Sequence, residues 1–305
     1  MNSMTAYNIN HLEQIEKSLD NWLPEVTSPP GRLHEAMRYS VFAGGKRLRP
    51  RLALAVCENL GADPRQALAP AAALEMIHTY SLIHDDLPAM DDDDMRRGQP
   101  TSHKVFGEDF AILAGDGLLT QAFSVVAEHT PEPLWVPKLV KVIADKSGWA
   151  GMVGGQVADI ASSEPLAHNK TRGLDQVKFI HLRKTAALIS ASCECGAICA
   201  GADDATIKRY AKMGETLGLA FQIIDDILDL TADSATLGKT AGKDERDNKL
   251  TYPAVLGIEQ SKKIALALEQ EVMETLNADN SEDHRRSAQA NALKDLVKQC
   301  IHRKF

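Results

Sequence analysis

Two acidic clusters, each set in apolar helix-forming sequence, constrain this chain more than any other feature. The first is His84-Asp85-Asp86-Leu87-Pro88-Ala89-Met90-Asp91-Asp92-Asp93-Asp94, and the second is Phe221-Gln222-Ile223-Ile224-Asp225-Asp226-Ile227-Leu228-Asp229. Carboxylates placed like this repel one another and resist leaving water unless a cation neutralises them. Two such stretches predict a cavity that collects divalent metal. A metal-loaded cavity commonly holds a phosphorylated substrate.

The sequence around the clusters reads as helix throughout. Aromatic residues are only 5% of the chain while Ala and Leu are abundant, which favours helix over sheet. Leu12, Ile15 and Leu19 form one helical stripe. Asp63-Pro64 signals a helix start, and that helix should run towards Asp86, bent at Pro70. Pro88 has no N–H to donate, so the helix should end within the first cluster. Further helices are expected near 33–43, 48–60, 109–129, 134–147, 172–201, 203–230, 253–276 and 284–302. Loops are marked by Thr27–Gly31, Arg96–Pro100 and the stretch 232–249, and no set of alternating strands is visible. The expected fold is all-α, a single-domain helical bundle over residues 1–305 with two helices facing each other across a cavity.

Charge and cysteine content narrow the setting. The net charge is −8, and no basic tract argues for nucleic acid. No segment reads as a membrane span; Ala186–Ala202 comes nearest, and a buried core helix explains it better. Five cysteines with no secretion pattern at the N-terminus predict a reducing cytoplasm. Cys193, Cys195 and Cys199 are expected to be buried filler, not a zinc site.

Asp225 and Asp229 share one helix face, with Gln222 near it. The isoleucines and leucines around them leave little room for a solvated acidic stripe. Asp85 and Asp86 close an apolar helix, where the backbone dipole already disfavours negative charge. An all-oxygen donor set suits Mg²⁺ or Mn²⁺ over zinc. Asp92, Asp93 and Asp94 fit simple solvation equally well.

Cations stand close by in sequence. Arg96-Arg97 follow the first cluster directly. Gly44-Gly45-Lys46-Arg47-Leu48-Arg49-Pro50 offers two glycines for close backbone approach and then three cations, a natural diphosphate receptor. Gly238-Lys239 and Gly242-Lys243-Asp244 form a second glycine-lysine loop. His78 lies two helical turns before Asp85, on the same side. Lys184-Thr185 open an apolar helix, where a lysine needs an anion.

In order and spacing these motifs resemble the trans-polyprenyl diphosphate synthases, most closely bacterial-type farnesyl diphosphate synthases. The resemblance runs nearly end to end, and includes Gly154-Gly155-Gln156 as well. It implies a deep central cavity, a homodimer and head-to-tail prenyl transfer. Isopentenyl diphosphate would be joined to dimethylallyl or geranyl diphosphate to give farnesyl diphosphate. By the same resemblance, Mg²⁺ held by Asp85, Asp91 and Asp225 would bind the allylic diphosphate, with Asp86 and Asp229 in support. Arg96, Lys184 and Lys239 would contact its phosphates. Isopentenyl diphosphate would meet Gly45, Lys46, Arg49, His78 and Arg97.

The chemistry of the residues agrees. Breaking an allylic C–O bond requires a neutralised leaving group, which metals and cations supply. Gln222 and the Lys184-Thr185 backbone offer oxygen dipoles to the carbocation. No protein base is marked, so the released diphosphate should take the proton. Tyr80 lies five residues before Asp85, about 7.5 Å along a helix axis, and with Ser81 should form the floor that stops elongation at C15. A C20 or C10 synthase is the near alternative. A non-catalytic regulatory subunit of such an enzyme predicts eroded aspartates, and a terpene cyclase would not be expected to carry Gly44–Arg49 or the second cluster.

Overall fold

The computed structural model describes residues 3–162, 170–231, 249–278 and 284–302. Its helices are α1 (Ser3–Trp22), α2 (Gly31–Val41), α3 (Leu48–Asn59), α4 (Leu68–Asp85), α5 (Ser102–Phe106), α6 (Glu108–His129), α7 (Val136–Ser147), α8 (Met152–Ala161), α9 (Lys170–His181), α10 (Ala187–Cys199), α11 (Asp204–Thr231), α12 (Tyr252–Leu256), α13 (Ile258–Ala278) and α14 (His284–Ile301). The one strand pair among the described residues is the hairpin of β1 (Met95–Arg96) and β2 (Gln99–Pro100). The all-α expectation holds.

Local chemistry explains most boundaries. The Asp63 carboxylate accepts from the Arg65 N–H at 3.0 Å and opens a 3₁₀ turn, Pro64–Ala67, that leads into α4. Pro70 sits in the first turn of α4, where its missing N–H breaks no helical bond. α4 ends at Asp85, three residues before Pro88. Gly257, at φ 80°, divides the expected 253–276 helix into α12 and α13.

Two stretches depart from the expected pattern. α8 falls where no helix was expected; its exposed Val153, Val157 and Ile160 mix with glycines and hide the period. The expected 172–201 helix is also interrupted. Residues Leu182–Ala186 form a π-helical turn between α9 and α10, a device that re-aims side chains within a helix.

α10 is the most enclosed element: Glu194 is its one residue that is not buried. It packs on α3, α4, α7 and α11. Cys193, Cys195 and Cys199 lie in this core as free thiols, in keeping with a filler role. α6 is long and apolar enough to cross a membrane by length and composition, yet it is a partner of α4 and α2 in the bundle. The result for the site is simple. α4 delivers Asp85, α11 delivers Asp225, and the π turn delivers Lys184 and Thr185 into the space between them.

Candidate active site

Three adjoining cavities occupy that space, and each has its own chemistry. An acidic one of about 250 Å³ is walled by Asp85, Asp91, Asp225 and Lys184, among others. A cationic one of about 410 Å³ is walled by Lys46, Arg47, Arg49, His78 and Arg97. A mainly apolar one of about 440 Å³ runs beside Tyr80, Met152, Val153, Val157 and Ile160. They share walls: Asp225 belongs to the first and second, Arg49 and His78 to the second and third, and Asp85, Lys184 and Thr185 to the first and third.

In the acidic cavity, burial pushes the Asp85 carboxyl up to about 6. That is the condition expected of a carboxylate built to meet a cation. Asp91 has Lys249 Nζ at 3.5 Å, a partner unmarked in the sequence reading. Lys184 Nζ lies 2.6 Å from Asp159 Oδ2, again an unforeseen partner. Asp159 follows Gln156 by three residues on α8, so its helix face was a usable signal.

Asp86 and Arg96 are bound to each other. Arg96 Nε donates to both carboxylate oxygens of Asp86, at 2.7 and 2.8 Å. Arg96 therefore lines the cavity with its guanidinium already committed, and Asp86 has a salt-bridge partner in place of solvent. Asp226 is buried as well. It accepts from Gln222 Nε2 at 3.0 Å and from the Tyr252 N–H at 3.0 Å, with His181 Nε2 at 3.4 Å. Burial drives the His181 imidazole down to about 3, so it stays neutral. Gln222 Oε1 accepts from Thr185 Oγ1 at 2.6 Å, which fixes the amide dipole between α11 and the π turn. Asp229 is buried on the same helix.

In the cationic cavity, Gly44 and Gly45 adopt φ 92° and 128°. A β-carbon on Gly45 would fall 2.8 Å from the Arg97 guanidinium carbon, so glycine is what admits Arg97 here. Burial drives the Arg49 guanidinium down to about 10, and its Nε is buried with no partner among the described residues. His78 is pushed well below its ordinary value, by burial first and by Arg49 next. This is a concentration of positive charge, partly offset by Glu75 in the same wall, that suits an anion.

In the apolar cavity, Tyr80 is 7% exposed and packs edge-on against His84, with ring centroids 5.7 Å apart. Ser81 Oγ donates to the His78 carbonyl at 2.8 Å, so its hydroxyl is occupied. Lys239, Lys243 and Asp244 lie outside the described residues.

The acidic cavity suits a hard divalent cation: Asp85, Asp91 and Asp225 all offer it oxygen donors, and the half-buried Asp85 carboxyl is held above its ordinary value. Their ligand atoms do not yet converge. Among the described residues, the set of three acidic and histidine side chains whose ligand atoms all lie within 4.8 Å of one another is Asp92, Asp94 and His103. Asp94 there is already paired with Lys104 at 2.7 Å.

Comparison with known proteins agrees with this geometry. The model of the family described as "Polyprenyl synthetase" matches residues 30–292. The large subunit 1 of a heterodimeric chloroplastic geranylgeranyl pyrophosphate synthase from Arabidopsis thaliana is 50% identical, over 89% of this chain and 73% of its own length. A chloroplastic geranylgeranyl pyrophosphate synthase from Catharanthus roseus is 47% identical, over 89% and 75%. The crystal structure of a Helicobacter pylori geranyltransferase, complexed with magnesium and isoprenyl diphosphate, superposes with a TM-score of 0.85 at 33% identity, covering 98% of both chains. These relatives overturn one expectation. Both plant proteins are named chloroplastic, so the cytoplasmic placement is withdrawn; five buried thiols do not distinguish one compartment from another. With matched sequence over most of its length and an acidic, a cationic and an apolar chamber in contact, the chain belongs to the polyprenyl synthetase family and is a prenyltransferase acting on isoprenyl diphosphates.

Proposed function

We propose that this chain, acting as one catalytic domain over residues 1–305, joins isopentenyl diphosphate head-to-tail to an allylic diphosphate. The observation that carries the reading is the contact of the three chambers. An allylic diphosphate fits with its phosphates at the aspartates and its tail in the apolar cavity, and isopentenyl diphosphate fits the cationic cavity. Asp85, Asp91 and Asp225 would hold Mg²⁺ or, with the same oxygen donors, Mn²⁺, and the bound metal would supply positive charge against the leaving diphosphate. Lys184, and Lys239 by resemblance, add to that charge. Arg96 acts by holding Asp86 in place. Gln222 and Thr185, bonded to each other, present fixed dipoles at the cation. Lys46, Arg49, His78 and Arg97 hold the second diphosphate, and the apolar wall excludes water.

Two observations separate on product length. The names of the plant relatives favour the C20 product, geranylgeranyl diphosphate, over the C15 product expected from sequence. The buried ring of Tyr80 in the wall of the apolar cavity favours C15. A homodimer is part of the proposal.

The test is incubation with isopentenyl diphosphate and dimethylallyl diphosphate, with Mg²⁺ and with chelator, followed by chromatography of the products. A C15 or C20 diphosphate formed only with metal is the expected result. No condensation under any metal overturns the reading.

A further inference from the structure

Lys46, Arg47 and Arg49 read alike in the sequence, as three cations after two glycines. The fold separates them. Arg47 is 2% exposed, and its guanidinium is engaged inside the protein. Nε donates to Glu16 Oε1 at 2.7 Å and Nη2 to Glu16 Oε2 at 3.2 Å. Nη1 donates to Glu75 Oε1 at 2.9 Å, and Nη2 also reaches the Val41 carbonyl at 2.7 Å. These partners sit on α1, α4 and the end of α2, so one side chain ties three helices to the glycine loop.

The backbone at Arg47 is left-handed, φ 48°, and Arg47 is the residue that caps the N-terminus of α3. A non-glycine residue holds this conformation only when its surroundings demand it. Here the demand comes from the four hydrogen bonds. The reversal at Arg47 sets the direction of Lys46 before it and of Arg49, the second residue of α3, after it. Arg49 Nε remains buried and unpartnered among the described residues, in the wall of the cavity that Lys46 also lines. Glu75 stands in that same wall. A purely structural ion pair between helices would not need to sit at the hinge of the phosphate loop.

We infer that Arg47 is the positioning residue of the isopentenyl diphosphate pocket. Locked to Glu16 and Glu75, it fixes the turn from which Lys46 and Arg49 reach a diphosphate. This rests on the reading of the cationic cavity as that pocket.

Steady-state kinetics with each substrate varied in turn test it. Arg47→Met should raise the KM for isopentenyl diphosphate about 10-fold or more, because small misplacement of binding groups is costly. The KM for geranyl diphosphate should change less than about 2-fold, and Arg47→Lys should recover part of the loss. Glu16→Gln provides a variant with little risk to folding, since the Glu16 side chain is 38% exposed. It should raise the same KM about 3-fold with an unchanged melting temperature. The inference is overturned if folded Arg47→Met, or Glu16→Gln where Arg47→Met does not fold, leaves the isopentenyl diphosphate KM unchanged. Equal losses for both substrates together with a lower melting temperature overturn it as well, since a scaffold alone does that. Arg49→Ala separates the two readings. If Arg49→Ala raises that KM and the Arg47 variants do not, only the positioning role fails; if Arg49→Ala has no effect, the assignment of the cavity fails and the inference with it.

Discussion

Gly155 on α8 lies directly behind Lys184. A β-carbon at Gly155 would fall 2.2 Å from the Lys184 nitrogen and 2.7 Å from its Cα. The π turn that carries Lys184 and Thr185 is thus seated against bare backbone, and no flexible side chain is available to yield. Gly155→Ala should push the turn out of place, costing about 1–3 kcal/mol of stability. Turnover should fall by about 10-fold or more as Lys184 and Thr185 move off the reacting groups. Denaturant titration and single-turnover kinetics measure both; wild-type turnover would show that the turn is not held by this contact.

Asp85 supports a prediction about pH. Its carboxyl ionises at about 6 in the folded protein against 3.8 in the open chain. Between those values the folded protein keeps a proton that the unfolded chain has lost, so stability falls as pH rises through the window. At pH 7 the deficit is at most about 3 kcal/mol, at 1.36 per unit. Asp85→Asn should therefore raise the melting temperature of metal-free protein at pH 7 and leave it unchanged near pH 4. The same variant should lose roughly 10²-fold in turnover, by analogy with loss of a charge-stabilising group. Equal melting temperatures at pH 7 would count against the buried-carboxylate account.

Asp225 and Asp226 are adjacent and should behave oppositely. Asp226 is 2% exposed and accepts from Gln222 and the Tyr252 N–H. Asp226→Ala leaves those donors unpaired, at about 1–3 kcal/mol each, and should lower the melting temperature clearly. Asp225→Ala should spare stability and remove roughly 10²-fold of turnover. Thermal melts and rates measured side by side on the two variants decide the matter; similar profiles would refute the division.

If the Tyr80 ring closes the apolar cavity, its removal should lengthen the product. Each added isoprene unit buries more apolar surface, worth about 4 kcal/mol at roughly 0.8 per carbon group, so elongation ends only where a wall intervenes. Tyr80→Ala should shift products by at least one isoprene unit. An active variant with the wild-type product would remove Tyr80 from the wall and leave the relatives' C20 product as the better reading.

Much of the site was readable before the fold because its chemistry is local. Pro88 has to stop α4 near Asp85, while the residue that joins Asp225 in the cavity lining is Asp226 and not Asp229, which spacing alone had paired with it. His78, two turns before Asp85, does line the cavities on either side. What could not be read depends on partners far along the chain. Arg47 is indistinguishable from its cationic neighbours until Glu16 and Glu75 are brought to it, and the pairing of Arg96 with Asp86 is likewise unmarked in the sequence. The π turn at Leu182–Ala186 leaves no mark in apolar spacing, because one extra residue in a buried helix moves the pattern without breaking it. α8 was missed for a related reason, since Val153, Val157 and Ile160 face an open cavity instead of a core.

The cationic cavity draws its walls from opposite ends of the described fold. Glu16 of α1 anchors Arg47, while Leu296, Gln299 and Cys300 of α14 line the far side, and Arg51 Nη2 reaches Gln299 Oε1 at 3.4 Å. During synthesis, α14 leaves the ribosome long after the aspartates have emerged. A nascent chain can therefore gather its acidic residues early while its second phosphate receptor stays open to water. The cationic cavity is thus walled later in synthesis than the acidic one, whose described lining ends at Thr251.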